Sequence, residues 1–158
     1  MSASLRPFVP ADAVAMRALV LAGLGEHWGV IDESLNPDLD DITGVYHEAG
    51  AAIIVAERDG ELVGCGVLID EPPDAGRLVR MSVRSDQRGQ GLGKQLVFAL
   101  HDEARHRGYA RVVCETTDTW TDAIALYTRC GFREIAHHSG DVHFELFVTD
   151  RSAGQKAR

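Results

Sequence analysis

Aromatic residues make up only 6% of this 158-residue chain, prolines number five, cysteines three, and no apolar run approaches the length needed to cross a bilayer. Each shortage excludes something. Without about 18 consecutive apolar residues there is no candidate transmembrane helix. No cationic segment leads an apolar stretch near the N-terminus, so a soluble, cytoplasmic protein is expected. Cys65, Cys114 and Cys130 are odd in number, far apart and set among apolar neighbours. They form neither a disulfide framework nor a zinc knuckle, and read as reduced core residues. Cations are outnumbered as well: 16 Lys and Arg against 24 Asp and Glu leave a net charge of -8. That balance argues against general attachment to nucleic acid or an anionic membrane through phosphate contacts, though it leaves room for a local cationic pocket. None of the seven histidines supplies the i, i+4 pair of a helical metal site, since His101 and His106 are five apart and His137 and His138 adjacent. No metal is expected.

What is present is enough apolar sequence, 45%, for one real core. A single domain is expected over 1–150, with 151–158 a flexible tail too polar to fold alone. Residues 4–8 suit a short strand, and Pro10-Ala11-Asp12 opens the pattern of a first helix. From Gly23 to Asp41 glycines, acids, Trp28 and Pro37 crowd together, which predicts loop and short helix, followed by a second helix ending at Gly50. AAIIVAER and ELVGCGVLID flank Asp59-Gly60, a dipeptide of tight hairpins. LVRMSV, residues 78–83, is a further strand. Leu92, Leu96 and Leu100 then form the i, i+4, i+8 stripe of a helix running toward Gly108. A strand over 110–116, a helix over 119–130 and two strands around 132–136 and 142–148 complete the order.

The segment that asks for a function is RGQGLGK, residues 88–94, where three alternating glycines lie between two cations at a helix entrance. A P-loop needs glycine five residues before the Gly-Lys pair and Ser or Thr after it, but Arg88 and Gln95 stand there. A dinucleotide fingerprint needs G-x-G-x-x-G, and the spacing here is G-x-G-x-G. A strand, a glycine turn and a helix N-terminus still aim several unpaired N–H groups at one spot, an arrangement that binds anions. Taken alone, a turn that merely starts a helix explains the glycines equally well.

The strand MSV, the run RGQGLG and the later AIALYTRCGF stand in the order and spacing of the GNAT superfamily of acyl-CoA-dependent N-acetyltransferases, which this chain resembles over about residues 4–148. The resemblance implies an α/β (α+β) fold, a mixed, mainly antiparallel twisted sheet of six to seven strands with helices on both faces. It also implies acetyl-CoA as cosubstrate, its pantetheine arm lying along Met81, Ser82 and Val83. The diphosphate would be held by the backbone of Arg88, Gly89, Gln90, Gly91, Leu92, Gly93 and Lys94. Tyr127 stands where the family places the general acid for the departing thiolate; a core tyrosine on the apolar side of its helix, beside Leu126, is the alternative. Glu115, twelve residues earlier, stands where the ribosomal-protein alanine acetyltransferases carry a proposed general base; a structural pairing with Arg80 or a neighbouring arginine is the alternative. Trp120 departs from the family's usual asparagine, which bonds the pantetheine amide, and is expected to pack on the cofactor arm or wall the acceptor site.

The family shapes its acceptor pocket from the segment between the first two helices. Here Glu26, Asp32, Glu33, Asp38, Asp40 and Asp41 would attract a cationic amine, Trp28 would wall it, and Arg80 would bind a substrate carboxylate; a solvated acidic loop and helix cap is the alternative for most of these carboxylates. A small amino acid or a peptide N-terminus satisfies both hints, a polyamine or aminoglycoside the acidic one alone. The expectation is direct transfer from acetyl-CoA to a primary amine in a ternary complex. A non-catalytic acyl-CoA sensor on the same scaffold is the alternative, and a homodimer through the last strands stays open.

Overall fold

The Asp59-Gly60 turn shows how locally the first half of the sheet is specified. Both residues adopt positive φ, 52° and 80°, the left-handed geometry that matches a two-residue turn to the twist of its flanking strands. In the computed structural model, which describes residues 3–148, this turn joins β2 (Ala52–Arg58) to β3 (Glu61–Glu71). Around them lie β1 (Ser4–Pro7), β4 (Ala75–Val83), β5 (Arg111–Thr117), β6 (Arg133–His138) and β7 (Asp141–Phe147). The seven strands form one sheet ordered β1-β2-β3-β4-β5-β7-β6, in which only β4 and β5 are parallel neighbours. The expected tail, 151–158, lies outside the described residues.

Helices cover both faces. On one, α1 (Ala13–Trp28) buries Met16, Leu19 and Val20 against Val55, Cys65 and Val67 of the central strands. On the other, α2 (Leu92–His106) lays the predicted stripe of Leu92, Leu96 and Leu100 into the sheet, all three at most 6% exposed. Beside it α3 (Thr121–Arg129) packs Tyr127 against Phe132 and Phe144.

Two expectations about the N-terminal third need correction. The first helix does not stop at Gly23 but runs to Trp28. A glycine inside a helix costs roughly 1 kcal/mol relative to alanine, and burial of the apolar face outweighs it. Gly23 also permits close approach, since a Cβ there would lie 3.0 Å from Ser82 Oγ on β4. The expected second helix is instead a 3-10 segment, Pro37–Asp41, leading into one π turn, Thr43–His47.

The feature that positions the site is the failure of β4 and β5 to stay together. Their pairing covers only Ala75–Arg77 against Arg111–Val113. Beyond that the strands diverge, and the β4 edge from Leu78 to Val83 has no strand neighbour on the β5 side. A bulge sharpens the divergence. Cys65 pairs with Ser82 but Val67 pairs with Val79, which leaves one extra residue on β4, and Arg80 takes a φ of 54°. Bulges bend a strand and re-aim side chains. Gly66, opposite, is closely packed: a Cβ there would collide with Met81 Sδ and stand 2.8 Å from Leu100 Cδ1, so both side-chain ends would have to shift.

Candidate active site

The gap between β4 and β5 opens into a cleft of about 970 Å³. Its walls are the free edge of β4, the glycine turn, α3 and the inner side of α1 at Val20, Gly23 and Leu24. Met81, Ser82 and Val83 line it along β4, and Arg88, Gly89, Gly91, Leu92, Gly93 and Lys94 line its far end. Gln90 is the one member of the glycine run outside the lining; its side-chain oxygen lies 3.5 Å from Arg58 Nη1 on β2. Trp120, Tyr127, Glu115, Trp28 and Arg80 also line the cleft. The fold thus gathers residues spread over a hundred positions of sequence into one cavity.

At the glycine turn, Gly89 and Gly91 have φ of 78° and 82°, and nothing lies within 4 Å of where a Cβ would stand. The need for glycine here is conformational: the left-handed Gly91 serves as N-cap of α2. No side chain caps that helix, so its first N–H groups and the positive end of its dipole face the cleft. Lys94 lies over the Phe98 ring at 5.7 Å, and no carboxylate pairs with it among the described residues. Arg88 is committed locally, its Nε donating to the Val83 carbonyl at 3.0 Å and its Nη1 to Glu26 at 2.7 Å.

Tyr127 is 6% exposed, its ring held between Phe132 and Phe144. Burial raises the phenol well above its ordinary range, with Cys114 and Cys130 adding to the effect, so the hydroxyl keeps its proton at any physiological pH. The cysteines themselves are no nucleophiles. Burial pushes the Cys65 thiol up to about 12 and raises Cys114 and Cys130 too, and a thiol that stays protonated attacks poorly. Trp120, N-cap of α3, stacks its ring on His27 at the end of α1, with centroids 4.2 Å apart and planes 5° apart. His27 Nε2 is 3.3 Å from Thr119 Oγ1 and the ring meets Trp28 edge-on. Trp120 therefore joins α1 to α3.

A second cavity, about 340 Å³, opens beside the first and shares Leu78, Val79, Arg80 and Glu115 with it. Asp38, Tyr46 and Arg77 complete its wall. Glu115 thus stands between the cavities. One of its carboxylate oxygens is 3.6 Å from Arg77 Nη1 and the other 3.4 Å from His143 Nδ1. The arginine beside it is Arg77, whose fork also holds Glu71 with two bonds of 3.1 Å. Arg80, turned to the same side by the bulge, donates to Asp38 at 2.7 and 2.8 Å and to Asn36 at 3.1 Å. Its fork already grips a carboxylate of the chain itself.

That pairing is part of a wider correction. The acidic segment does not present free charge to an acceptor: Glu33 and Asp40 hold Arg17, Asp32 and Asp41 cap the amides of Ser34 and Gly44, and Glu26 holds Arg88. Neither cavity is lined by Glu26. Burial works against the charge of Asp38, but bonds from Arg80 and Tyr46 outweigh it and hold its carboxyl below the usual range. Burial and Asp38 together push Tyr46 up to about 12. Arg77, Tyr46 and His143 escaped the sequence reading because nothing near them in sequence marks them; strand register and the π turn bring them in.

Known proteins share this chain's family sequence pattern and its fold. The sequence model of the acetyltransferase (GNAT) family matches residues 17–132. N-acetyltransferase family 8 member 2 of Rattus norvegicus is 38% identical over 113 residues, 68% of this chain and 50% of that protein. The chain spans about half the length of the curated mammalian relatives it matches. A GNAT-family acetyltransferase structure from Staphylococcus aureus Mu50 superposes with a TM-score of 0.83 at 19% identity, covering 94% of this chain and all of that one. The PaiA N-acetyltransferase of Thermoplasma acidophilum, solved in complex with coenzyme A, superposes with a TM-score of 0.79 at 14% identity, covering 93% of this chain and 99% of that one. At these identities the structural likeness is one of fold. Among the described residues no helix is long and apolar enough to cross a membrane, and no cluster of His, Cys, Asp and Glu is suited to a metal.

Proposed function

The chain belongs to the GNAT acetyltransferase family, and from that premise we propose that it transfers the acetyl group of acetyl-CoA directly to a primary amine of a small molecule or peptide. The observation that carries this reading is the divergence of β4 from β5 after Arg77, ending at an uncapped helix N-terminus. An unpaired strand edge can accept an extended, amide-bearing arm as if it were another strand, and the pantetheine portion of coenzyme A has that character. The glycine turn, the N–H groups of α2 and Lys94 suit its diphosphate.

The chemistry then divides among the chain's own groups. Backbone N–H groups on the free β4 edge donate to the thioester oxygen as it gains charge. Glu115, at the boundary of the two cavities, withdraws the proton that an ammonium must lose before its nitrogen can attack. Tyr127, kept protonated by burial, donates to the departing sulfur. The second cavity, lined by Asp38, Tyr46, Arg77 and Arg80, receives the acceptor. Its charges are largely balanced in pairs, which favours recognition by hydrogen bonding and shape over bulk attraction of polycations.

Two measurements test the reading. Coenzyme A should raise the thermal unfolding midpoint, and CoA thiol should be released from acetyl-CoA in the presence of an amine drawn from amino acids, peptides, polyamines and aminoglycosides. Absence of both stabilisation and release would overturn it.

A further inference from the structure

His143 has no part in the assignments above. In the β5–β7 ladder it is the direct partner of Glu115, so both side chains leave the sheet on one face and strand pairing imposes their approach. Its Nδ1 stands 3.4 Å from Glu115 Oε2, while Arg77 Nη1 stands 3.6 Å from Oε1. Behind it, the exposed His138 stacks on the imidazole at 4.7 Å between centroids. The Nε2 atom of His143 is buried and has no hydrogen-bond partner among the described residues. Arg77 of β4, Glu115 of β5, His143 of β7 and His138 of β6 therefore form a row across four strands, from the second cavity toward the outer edge of the sheet.

We propose that His143 is the positioning partner of Glu115, taking up the proton that the carboxylate withdraws from the acceptor ammonium and, once charged, holding that carboxylate at the boundary of the cavities. The inference rests on Glu115 being the base. One proton is accounted for throughout: the ammonium N–H bond breaks as an O–H bond forms on Glu115, and that bond breaks in turn as an N–H bond forms at His143 Nδ1. The step requires the tautomer with its hydrogen on Nε2, which leaves Nδ1 free to take the proton; at the 3.4 Å separation no hydrogen bond joins Nδ1 to the carboxylate beforehand. Protonation turns that approach into a charge-assisted hydrogen bond, which is shorter than the resting separation. Arg77 stands at the opposite oxygen of the carboxylate, and His138 stacks on the imidazole. Neither cavity is lined by His143, so it acts only through Glu115.

The test compares wild type, His143→Gln, His143→Ala, Glu115→Gln and the Glu115→Gln/His143→Ala double variant, each checked for folding by its thermal shift with coenzyme A. Both single His143 variants should lower kcat roughly tenfold, against a hundredfold or more for Glu115→Gln, with KM for acetyl-CoA unchanged. Added imidazole should restore turnover to His143→Ala but not to Glu115→Gln, and the double variant should be no slower than Glu115→Gln. Wild-type kcat in His143→Gln and His143→Ala, losses that multiply in the double variant, or a loss that imidazole does not restore would each overturn the role of His143 alone. Wild-type protein that binds coenzyme A yet acetylates no amine would instead overturn the transferase reading, and this inference with it.

Discussion

Arg88 reaches Glu26, Nη1 donating to Oε2 at 2.7 Å, so the first residue of the glycine run is tied to the last turn of α1. Both side chains are 42% exposed. An exposed pair of this kind contributes about 0–1 kcal/mol to stability. Its weight lies in competition, because a guanidinium that serves a diphosphate must first leave its carboxylate. We expect Glu26→Gln to tighten coenzyme A by about two- to fivefold, the factor that corresponds to such an energy. Arg88→Gln should weaken it, and neither change should move the ligand-free unfolding midpoint appreciably. Titration calorimetry at low and moderate salt checks this; unchanged affinity in both variants would remove Arg88 from the diphosphate site.

Gly91 offers a purely conformational test. With φ at 82° and open space where a Cβ would stand, Gly91→Ala introduces no clash but forces a left-handed alanine, at about 1–2 kcal/mol. Thermal unfolding should register that loss, and the affinity for coenzyme A should fall as the start of α2 shifts. Retained affinity would show that the turn is only a helix start.

Tyr127→Phe separates packing from proton donation. The ring contacts with Phe132 and Phe144 survive, so stability and KM for acetyl-CoA should hold while kcat falls by roughly a hundredfold. Steady-state kinetics with a reactive amine decides it, and full kcat would leave Tyr127 a core residue.

Acid should unfold the protein through two partly buried partnerships. Bonds from Arg6 at 2.8 and 2.9 Å, against the opposing effect of burial, hold the Asp12 carboxyl below its usual range; Asp38 is held low by Arg80 and Tyr46 despite burial. Both folded values lie below the unfolded value of about 3.9. Their stabilisation is therefore complete above that value and is lost as pH falls through the folded ones. The unfolding midpoint should stay level down to about pH 5 and drop below about pH 4. Asp38→Asn should lower it at neutral pH and flatten the acid decline, as followed by circular dichroism.

Local signals carried far in this chain. The Asp59-Gly60 hairpin, the leucine stripe of α2 and the glycine run each depend on neighbours within a few residues, and each stands where the sequence places it. The same local logic misread Gly23 and Gly25 as loop, because what keeps α1 helical there is its packing on the sheet, with Ser82 touching the space beside Gly23. The partners of the acidic segment were out of reach of the sequence for a related reason. Its carboxylates look free in sequence, but Arg17, Arg80 and Arg88 reach them only once the chain has folded.

The sequence by itself determined the order of elements, the glycine turn at the head of α2 and the placing of Tyr127 on an apolar helix face, since turn chemistry and periodicity act over short range. Only the tertiary structure decided where β4 parts from β5, that the bulge turns Arg80 onto Asp38, and that His143 stands opposite Glu115. Those relationships depend on strand register between distant segments, which is set by how two sides of a core pack together.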